Sequence, residues 1–175
     1  MKKNLGTITA ALMLAISLVG CGAHPSEEGV ELLEEGKYEE AIGKFEEAIE
    51  KGKNEADAYR GIGIARWELE DYEGALTAFQ SAVEQDAEAT ATLYNFLGSC
   101  EMKLGDAKSA LNYYRLGIAS EDCSDEMKRE MRFNEIAAYE QTGDYESART
   151  KLKEYVKDYP DDERAAKEAE FLETR

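Results

Sequence analysis

The sequence predicts an all-α fold, a right-handed α-solenoid of about four helix–turn–helix units followed by a C-terminal capping helix. One observation is a 34-residue period in which small and aromatic positions recur: Tyr38, Ala41, Phe45 and Ala48, then Tyr72, Ala75, Phe79 and Ala82. Another is that turns containing glycine, such as those around Gly105 and Gly143, separate the apolar segments. A period of this length is typical of stacked helical pairs, because one pair alone cannot bury its apolar face.

Each unit repeats the same arrangement of small and large side chains. Gly29 and Gly63 occupy matching places in the leading helices of the first two units. The equivalent residues of the third unit are shifted by 35 positions and those of the fourth by a further 38: Gly98, Gly105, Ala110, Tyr114 and Gly117, then Ile136, Tyr139, Gly143, Tyr145, Ala148, Leu152 and Pro160. Two helices that cross closely need small residues, so we expect Gly29 to face Ala41. Large residues such as Phe45 fill the space between units.

The turns predict where the helices begin and end. Glycines stand just past the leading helices, where a left-handed C-cap residue is favoured: Gly36, Gly105 and Gly143. Aspartates then stand where a side-chain oxygen caps the next helix: Asp71, Asp106 and Asp144. Pro160 ends the eighth helix, and residues 161–175 are predicted to form the capping helix. The apolar stripe of that helix consists of Ala165, Ala169 and Leu172.

Two segments resemble the tetratricopeptide repeat family most closely, residues 71–75 (Asp-Tyr-Glu-Gly-Ala) and residues 143–148 (Gly-Asp-Tyr-Glu-Ser-Ala). The resemblance extends over residues 27–160. It implies a binding protein without catalytic activity, which acts as an adaptor or assembly scaffold for a protein or peptide partner. Ile136 replaces the small residue, and Tyr155 the alanine, that this family has at those places. We therefore expect the fourth unit to pack irregularly.

The same resemblance implies a concave groove, lined by the leading helix of each unit, that binds an extended peptide or a partner helix. The residues at the groove positions are Val30, Leu33, Arg60, Ile64, Trp67, Asn95, Phe96, Met102, Phe133 and Asn134. Apolar side chains along one surface indicate a binding site, and tryptophan is the residue most enriched at such sites. A core position for Trp67 is the alternative, because Arg66 stands where an aromatic residue is usual.

Some members of the family bind C-terminal carboxylates through a clamp of lysine and asparagine residues. The matching places in this chain hold Gly61, Thr92, Phe96 and Glu130. Acidic C-terminal tails are therefore disfavoured as partners.

The N-terminal segment resembles the signal peptide of bacterial lipoproteins. Lys2 and Lys3 precede an apolar run over residues 8–19, and residues 18–21 (Leu-Val-Gly-Cys) resemble a lipobox. The resemblance implies that residues 1–20 are removed and that Cys21 carries a diacylglycerol lipid. Residues 21–26 would then tether an exported domain to the extracytoplasmic side of the cell membrane or envelope. An ordinary signal peptide or an uncleaved anchor is the alternative.

The net charge limits which classes of partner the protein is expected to bind. Acidic residues number 38 and basic residues 21, which gives a formal net charge of −17. Nucleic acid is excluded as a partner, because no basic patch is available to neutralise phosphates. Much of the charge is expected in solvated pairs along helix faces: Glu40 with Lys44, Glu47 with Lys51, Glu163 with Lys167, and Arg164 with Glu168. Recognition of a basic partner or cation is the alternative use of this charge.

No pattern of catalytic or metal-binding residues stands out. The only histidine is His24, beside Pro25, so a nucleophile would lack its usual base. No zinc, calcium or phosphate-binding motif is present, and we expect neither a metal nor a cofactor besides the lipid. The sequence thus favours a non-catalytic interaction module, expected to be a monomer. A self-associating scaffold is the second interpretation and an envelope enzyme the third.

Two cysteines lie in the predicted repeats. Cys100 falls in the middle of a helix of the third unit, and Cys123 falls in the following loop before Ser124. Their Cα atoms should lie more than about 7 Å apart, which is too far for a disulfide. We expect two free thiols, of which Cys123 is the more reactive.

Overall fold

The computed structural model describes residues 25–85 and 89–174. All the regular secondary structure in these two segments is helical, which confirms the all-α prediction. The helices are α1 (Pro25–Glu34), α2 (Tyr38–Glu50), α3 (Glu55–Glu68), α4 (Tyr72–Glu84), α5 (Ala91–Leu104), α6 (Ala107–Ala119), α7 (Asp125–Gln141), α8 (Tyr145–Asp158) and α9 (Glu163–Leu172). The signal peptide predicted at residues 1–20 and the lipidation predicted at Cys21 lie outside the described residues.

The helices stack in chain order into two layers. Each helix packs on the next, and in addition α1 packs on α3 and α5 packs on α7. We call α1, α3, α5, α7 and α9 the inner helices, and α2, α4, α6 and α8 the outer helices. Because inner helices approach one another more closely than outer helices do, the inner layer forms the concave side of the solenoid. Within the described segments, no helix has the length and apolarity needed to cross a membrane.

The helix ends follow the predicted turn chemistry. The side chains of Asp71, Asp106 and Asp144 each accept a hydrogen bond from the backbone N–H three residues later. The glycines that end the leading helices have a positive φ, where other residues are strained: Gly36, Gly105 and Gly143. The α8 helix ends at Asp158, two residues before Pro160. These ends separate successive helices of the described segments.

The interior is built from aromatic rings packed against glycines. A methyl group added to Gly29 would lie 2.7 Å from the Phe45 ring, and one added to Gly61 would lie 2.4 Å from the same ring. Phe45 therefore fills the space between the first inner helix and the second. The expected partner of Gly29 was Ala41, but the aromatic ring is the group that requires a glycine here. Phe79 against Gly63 and Tyr114 against Gly98 repeat the arrangement.

The fourth unit packs differently but remains closely packed. Its equivalent pair consists of Ile136 and Leu152, which are 1% and 5% exposed. Ile136 is larger than the glycine at the same place in the other units, and Leu152 is smaller than their aromatic residue. The two changes in volume therefore compensate each other. Tyr155 occupies the place of the expected alanine, is fully buried, and packs against α9. Ile136 and Tyr155, the residues that differ from the family pattern, thus belong to the cluster that packs this unit against the capping helix.

The ion pairs differ in part from the expected set. Lys51 pairs with Glu47 as predicted, at 2.5 Å. Lys44 pairs with Glu28 on α1 and with Glu47, so the predicted pairing with Glu40 is wrong. No ion pair joins Glu163 to Lys167 in the segments that the structure describes.

The predicted pairing of Arg164 with Glu168 is wrong. Arg164 pairs with Asp162 at 3.0 Å and with Glu130 on α7 at 2.8 Å. The side chain turns towards the solenoid because buried acceptors are available there. It therefore fastens α9 to the repeats instead of forming a solvated pair along the helix.

Candidate functional site

An aromatic cluster is shared by the inner helices α3 and α5 and by the outer helix α4 between them. The Trp67 ring lies edge-on to Tyr72, with 5.1 Å between ring centroids, and edge-on to Phe96 at 5.9 Å. Phe96 in turn stacks on Phe79 at 5.0 Å, and Ile64 packs against the same cluster. Phe79 is fully buried, whereas Ile64, Trp67 and Phe96 are half-buried. Trp67 therefore lies at the boundary between core and surface, where part of its ring packs and part remains accessible.

One polar side chain beside this cluster lacks a partner. Asn95 precedes Phe96 on α5 and is half-buried. Its Oδ1 atom is buried, and no donor from the described residues reaches it. An unpaired buried acceptor costs about 1–3 kcal/mol, so this amide is a polar group whose hydrogen bonding is incomplete in the fold.

The predicted groove residues of the first two units are packed more closely than their sequence positions suggest. Val30 and Leu33 on α1 are half-buried and pack against the cluster around Phe45. Arg60 on α3 forms an ion pair with Asp57, one turn earlier on the same helix. This end of the inner surface presents the edges of core side chains and a charge that is already paired.

The fourth-unit end of the inner surface is partly covered by α9. The Arg164 guanidinium lies over the Phe133 ring, 4.5 Å from its centroid, and Phe133 also lies edge-on to Tyr155. Asn134 is half-buried on α7. Met102 on α5 packs against the core cluster of the third unit. Phe133 is therefore held between Arg164 and Tyr155, and it is half-buried like Trp67 and Asn95.

A pair of glutamates on α7 and α9 was not identified as a feature from the sequence. Burial, and after it the neighbouring negative charge of Glu168, together raise the pKa of Glu140 to about 8. Among the described residues, Glu140 Oε1 has no hydrogen-bond donor. Glu140 therefore favours its protonated form near neutral pH. The signal available in the sequence was Glu140 itself, which stands at a groove position beside an added helix.

The part of the chain that the structure describes brings together no set of groups suited to metal binding. Within residues 25–85 and 89–174, no cluster of three or more histidine, cysteine, aspartate or glutamate side chains is arranged around a common point. The inner helices carry aromatic, amide and carboxylate side chains at the predicted groove positions.

Comparisons with solved structures find the same fold. YrrB, described as a TPR protein with an unusual peptide-binding site, is 23% identical with a TM-score of 0.70, over 81% of this chain and 70% of that chain. MamA from Desulfovibrio magneticus RS-1 is 19% identical with a TM-score of 0.75, over 89% of this chain and 87% of that chain. The TPR2AB domain of yeast Sti1, in a complex with pHSP90, is 22% identical with a TM-score of 0.51, over 81% of this chain and 65% of that chain.

Sequence comparison identifies the repeats directly. No curated protein sequence matches the chain at a significant level. A family model of the tetratricopeptide repeat matches residues 27–90 and 62–123, and a second model of the same repeat matches residues 136–162. These matches cover more than half of the chain and coincide with the helical pairs described above. The chain belongs to the tetratricopeptide repeat family.

Proposed function

We propose that this protein is a non-catalytic interaction module that binds an extended peptide segment or a helix of a partner on its inner surface. The observation that carries the proposal is the set of side chains in and beside the aromatic cluster. Trp67 and Phe96 offer partly accessible aromatic faces, and Asn95 offers an acceptor without a donor. Aromatic anchors beside a few fixed polar groups are typical of peptide-binding sites.

An extended peptide fits these groups better than an acidic C-terminal tail does. A backbone N–H of the peptide would donate to the Asn95 amide after a small rotation of that side chain, and an apolar side chain would pack on Trp67. The places that match the carboxylate clamp hold Gly61, Thr92, Phe96 and Glu130, which lack a cation. Among the similar structures, YrrB is described as having a peptide-binding site, and the Sti1 domain is described in a complex with pHSP90. Both descriptions support a peptide or protein as the ligand.

The protein would act at the cell envelope. This part of the proposal rests on the lipobox-like residues 18–21 and on Cys21, the only group there that can form a thioether with a lipid. A diacylglycerol chain pair gives durable attachment, because each buried methylene contributes about 0.8 kcal/mol. The domain would then present its inner surface on the extracytoplasmic side.

Paired alanine variants test the inner surface. The partner is first identified by crosslinking in native membranes, and its affinity is then measured for the full-length protein and for Trp67→Ala. We expect Trp67→Ala to weaken binding by about 2 kcal/mol or more. Because the ring is half-buried, the variant should lose about 2 kcal/mol of unfolding free energy, about half the value for a buried aromatic. Phe79→Ala is the control and should lose about 3–5 kcal/mol. Unchanged affinity in Trp67→Ala would remove the aromatic cluster as the binding site.

Mass spectrometry tests the lipid anchor separately. In wild-type membranes the mature protein should begin at Cys21 and carry acyl chains, and Cys21→Ser should block both cleavage and lipidation. An unmodified mature protein in those membranes would contradict the anchor while leaving the peptide-binding proposal intact.

A further inference from the structure

A cleft opens on the outer surface between α2 and α4, on the side of the solenoid away from the inner surface. Its volume is about 630 Å³, within the range of ligand sites. The α3 helix forms the floor, because α2 and α4 both pack on α3 and hardly contact each other. The apolar part of the lining consists of Ile49, Tyr59, Ile62 and Ala78.

The cleft exists because α4 presents small side chains to it. Gly74, Thr77, Ala78 and Ser81 line this wall. In the next unit, the place of Ala78 is taken by Tyr113, which packs against the cluster between α4 and α5. A large ring therefore occupies the equivalent place in the next unit, whereas the cleft between α2 and α4 stays open.

The polar walls of the cleft offer acceptors. Thr77 Oγ1 donates to the backbone oxygen of Glu73, and Ser81 Oγ donates to that of Thr77, both at 3.0 Å. Both hydroxyl protons are thus used within α4, and the oxygen lone pairs remain for a ligand. Glu46, Glu50 and Glu73 add carboxylates around the opening, and no cation from the described residues pairs with any of the three.

Arg66 is the one cation among the described residues of the lining. Its Nη1 donates to Asp71 Oδ2 at 3.0 Å. A methyl group on Gly74 would lie 2.3 Å from Nη1, so Gly74 leaves the space that the guanidinium occupies. The charge of Arg66 is therefore compensated by Asp71 within the lining.

We propose that this outer cleft is a second binding site, separate from the inner surface, for an extended peptide segment that alternates apolar and basic side chains. Lysine or arginine side chains of the segment would pair with Glu46, Glu50 and Glu73. Its apolar side chains would cover the floor, and its backbone N–H groups would donate to Thr77 Oγ1 and Ser81 Oγ. A helix is a poorer occupant, because its N–H groups are already bonded within the helix. The partner is therefore a basic chain segment in extended conformation.

The probe for this site is the peptide Lys-Val-Lys-Val-Lys-amide with a neutral coumarin fluorophore on its N-terminal amine, titrated with full-length protein at about 0.15 M salt. Thr77→Lys places an ammonium group inside the cleft, and Gln80→Lys is the matched control. Gln80 is exposed on the same helix and does not line the cleft, and both changes add one positive charge. Lysine has a good helix propensity, so both variants should fold. Circular dichroism melting confirms folding before binding is measured.

We expect the peptide to bind with a Kd below about 1 mM and Thr77→Lys to weaken binding at least about tenfold, against less than about twofold for Gln80→Lys. Trp67→Ala should leave this binding unchanged. Absence of binding, equal weakening by the two lysine variants, or loss of binding in Trp67→Ala would each overturn the proposal.

Discussion

Burial sets the reactivity of the two cysteines in the repeats. Cys100 on α5 is fully buried, and burial raises the pKa of its thiol to about 12. Cys123 lies in the loop before α7, half-buried, and its pKa is raised by the same cause. Both are free thiols in the structure, as the sequence predicted. A thiolate is the reactive form, so accessibility and pKa together favour Cys123.

Alkylation of the folded protein should therefore distinguish the two thiols. We expect iodoacetamide at pH 8 to modify Cys123 first and to reach Cys100 only after unfolding. Peptide mapping by mass spectrometry measures the order. Cys123→Ser serves as the control, since it should remove the fast phase alone, and equal rates for both thiols would contradict the burial argument.

Close approach of helices depends on glycines that meet a ring. A methyl group on Gly63 would lie 2.5 Å from Phe79, whereas one on Gly43, on the exposed face of α2, would meet nothing within 4 Å. The same substitution should thus have opposite effects at the two places. Gly63→Ala should lower the unfolding free energy by about 1–3 kcal/mol through overpacking. Gly43→Ala should raise it by about 0.5–1 kcal/mol, because alanine favours the helix. Urea unfolding measures both, and a stabilised Gly63→Ala would contradict this packing.

The capping helix is fastened by one buried carboxylate. Asp162 caps α9 and is 7% exposed. It accepts from Arg129 at 2.9 Å, from Arg164 at 3.0 Å and from the Tyr155 hydroxyl at 2.5 Å. Arg164 and the other donors hold the pKa of Asp162 well below its usual range. One side chain thus joins α7, α8 and α9.

Asp162→Asn should release this helix. The variant keeps the size of the side chain but loses the charge that the two guanidinium groups require. We expect a loss of about 2 kcal/mol, less than the 3–5 kcal/mol for a fully buried pair, because both arginines are partly exposed. Hydrogen exchange should show faster exchange in α9 than in α3. Asp161→Asn, at an exposed neighbour, is the control and should change little.

The pH dependence of the solenoid follows from two carboxylates with opposite shifts. The pKa of Asp162 is lowered, so its contribution to the free energy of unfolding is fully present above the unfolded-state pKa of about 4. That contribution is lost as the pH falls further. Glu140 has a pKa raised to about 8. Between about pH 4.3 and that value the folded state binds more protons than the unfolded state, so stability falls as the pH rises.

Glu140→Gln removes the second effect. At pH 8 the variant should be more stable than the wild type by about 1 kcal/mol, a value reduced from the full shift because the group is half-exposed. Near pH 4 the two proteins should unfold alike. Unfolding by urea at pH 4, 6 and 8 measures the difference, and Glu121→Gln, at an exposed loop residue, is the control. A difference that does not grow with pH would show that Glu140 is ionised in the fold.

The sequence was sufficient for the class of fold, the helix ends and the family. These features depend on local chemistry repeated at a fixed period: an aspartate such as Asp106 caps whichever helix follows it, and a glycine such as Gly105 ends the helix before it. The period also placed the aromatic residues between units. Stacking then leaves few alternatives, because each unit contacts only its neighbours in the chain.

The accessible part of the inner surface depended on contacts between residues far apart in the sequence. Phe133 is covered by Arg164, 31 positions later, and Trp67 is held half-buried by Phe96 of the next unit. The outer cleft likewise depends on small residues of α4 facing α2 across α3. A periodic pattern states which face a residue occupies, but the burial of that residue is set by what its neighbours leave exposed. Burial in turn sets the energies of binding, titration and packing, so these could be obtained from the packed solenoid alone.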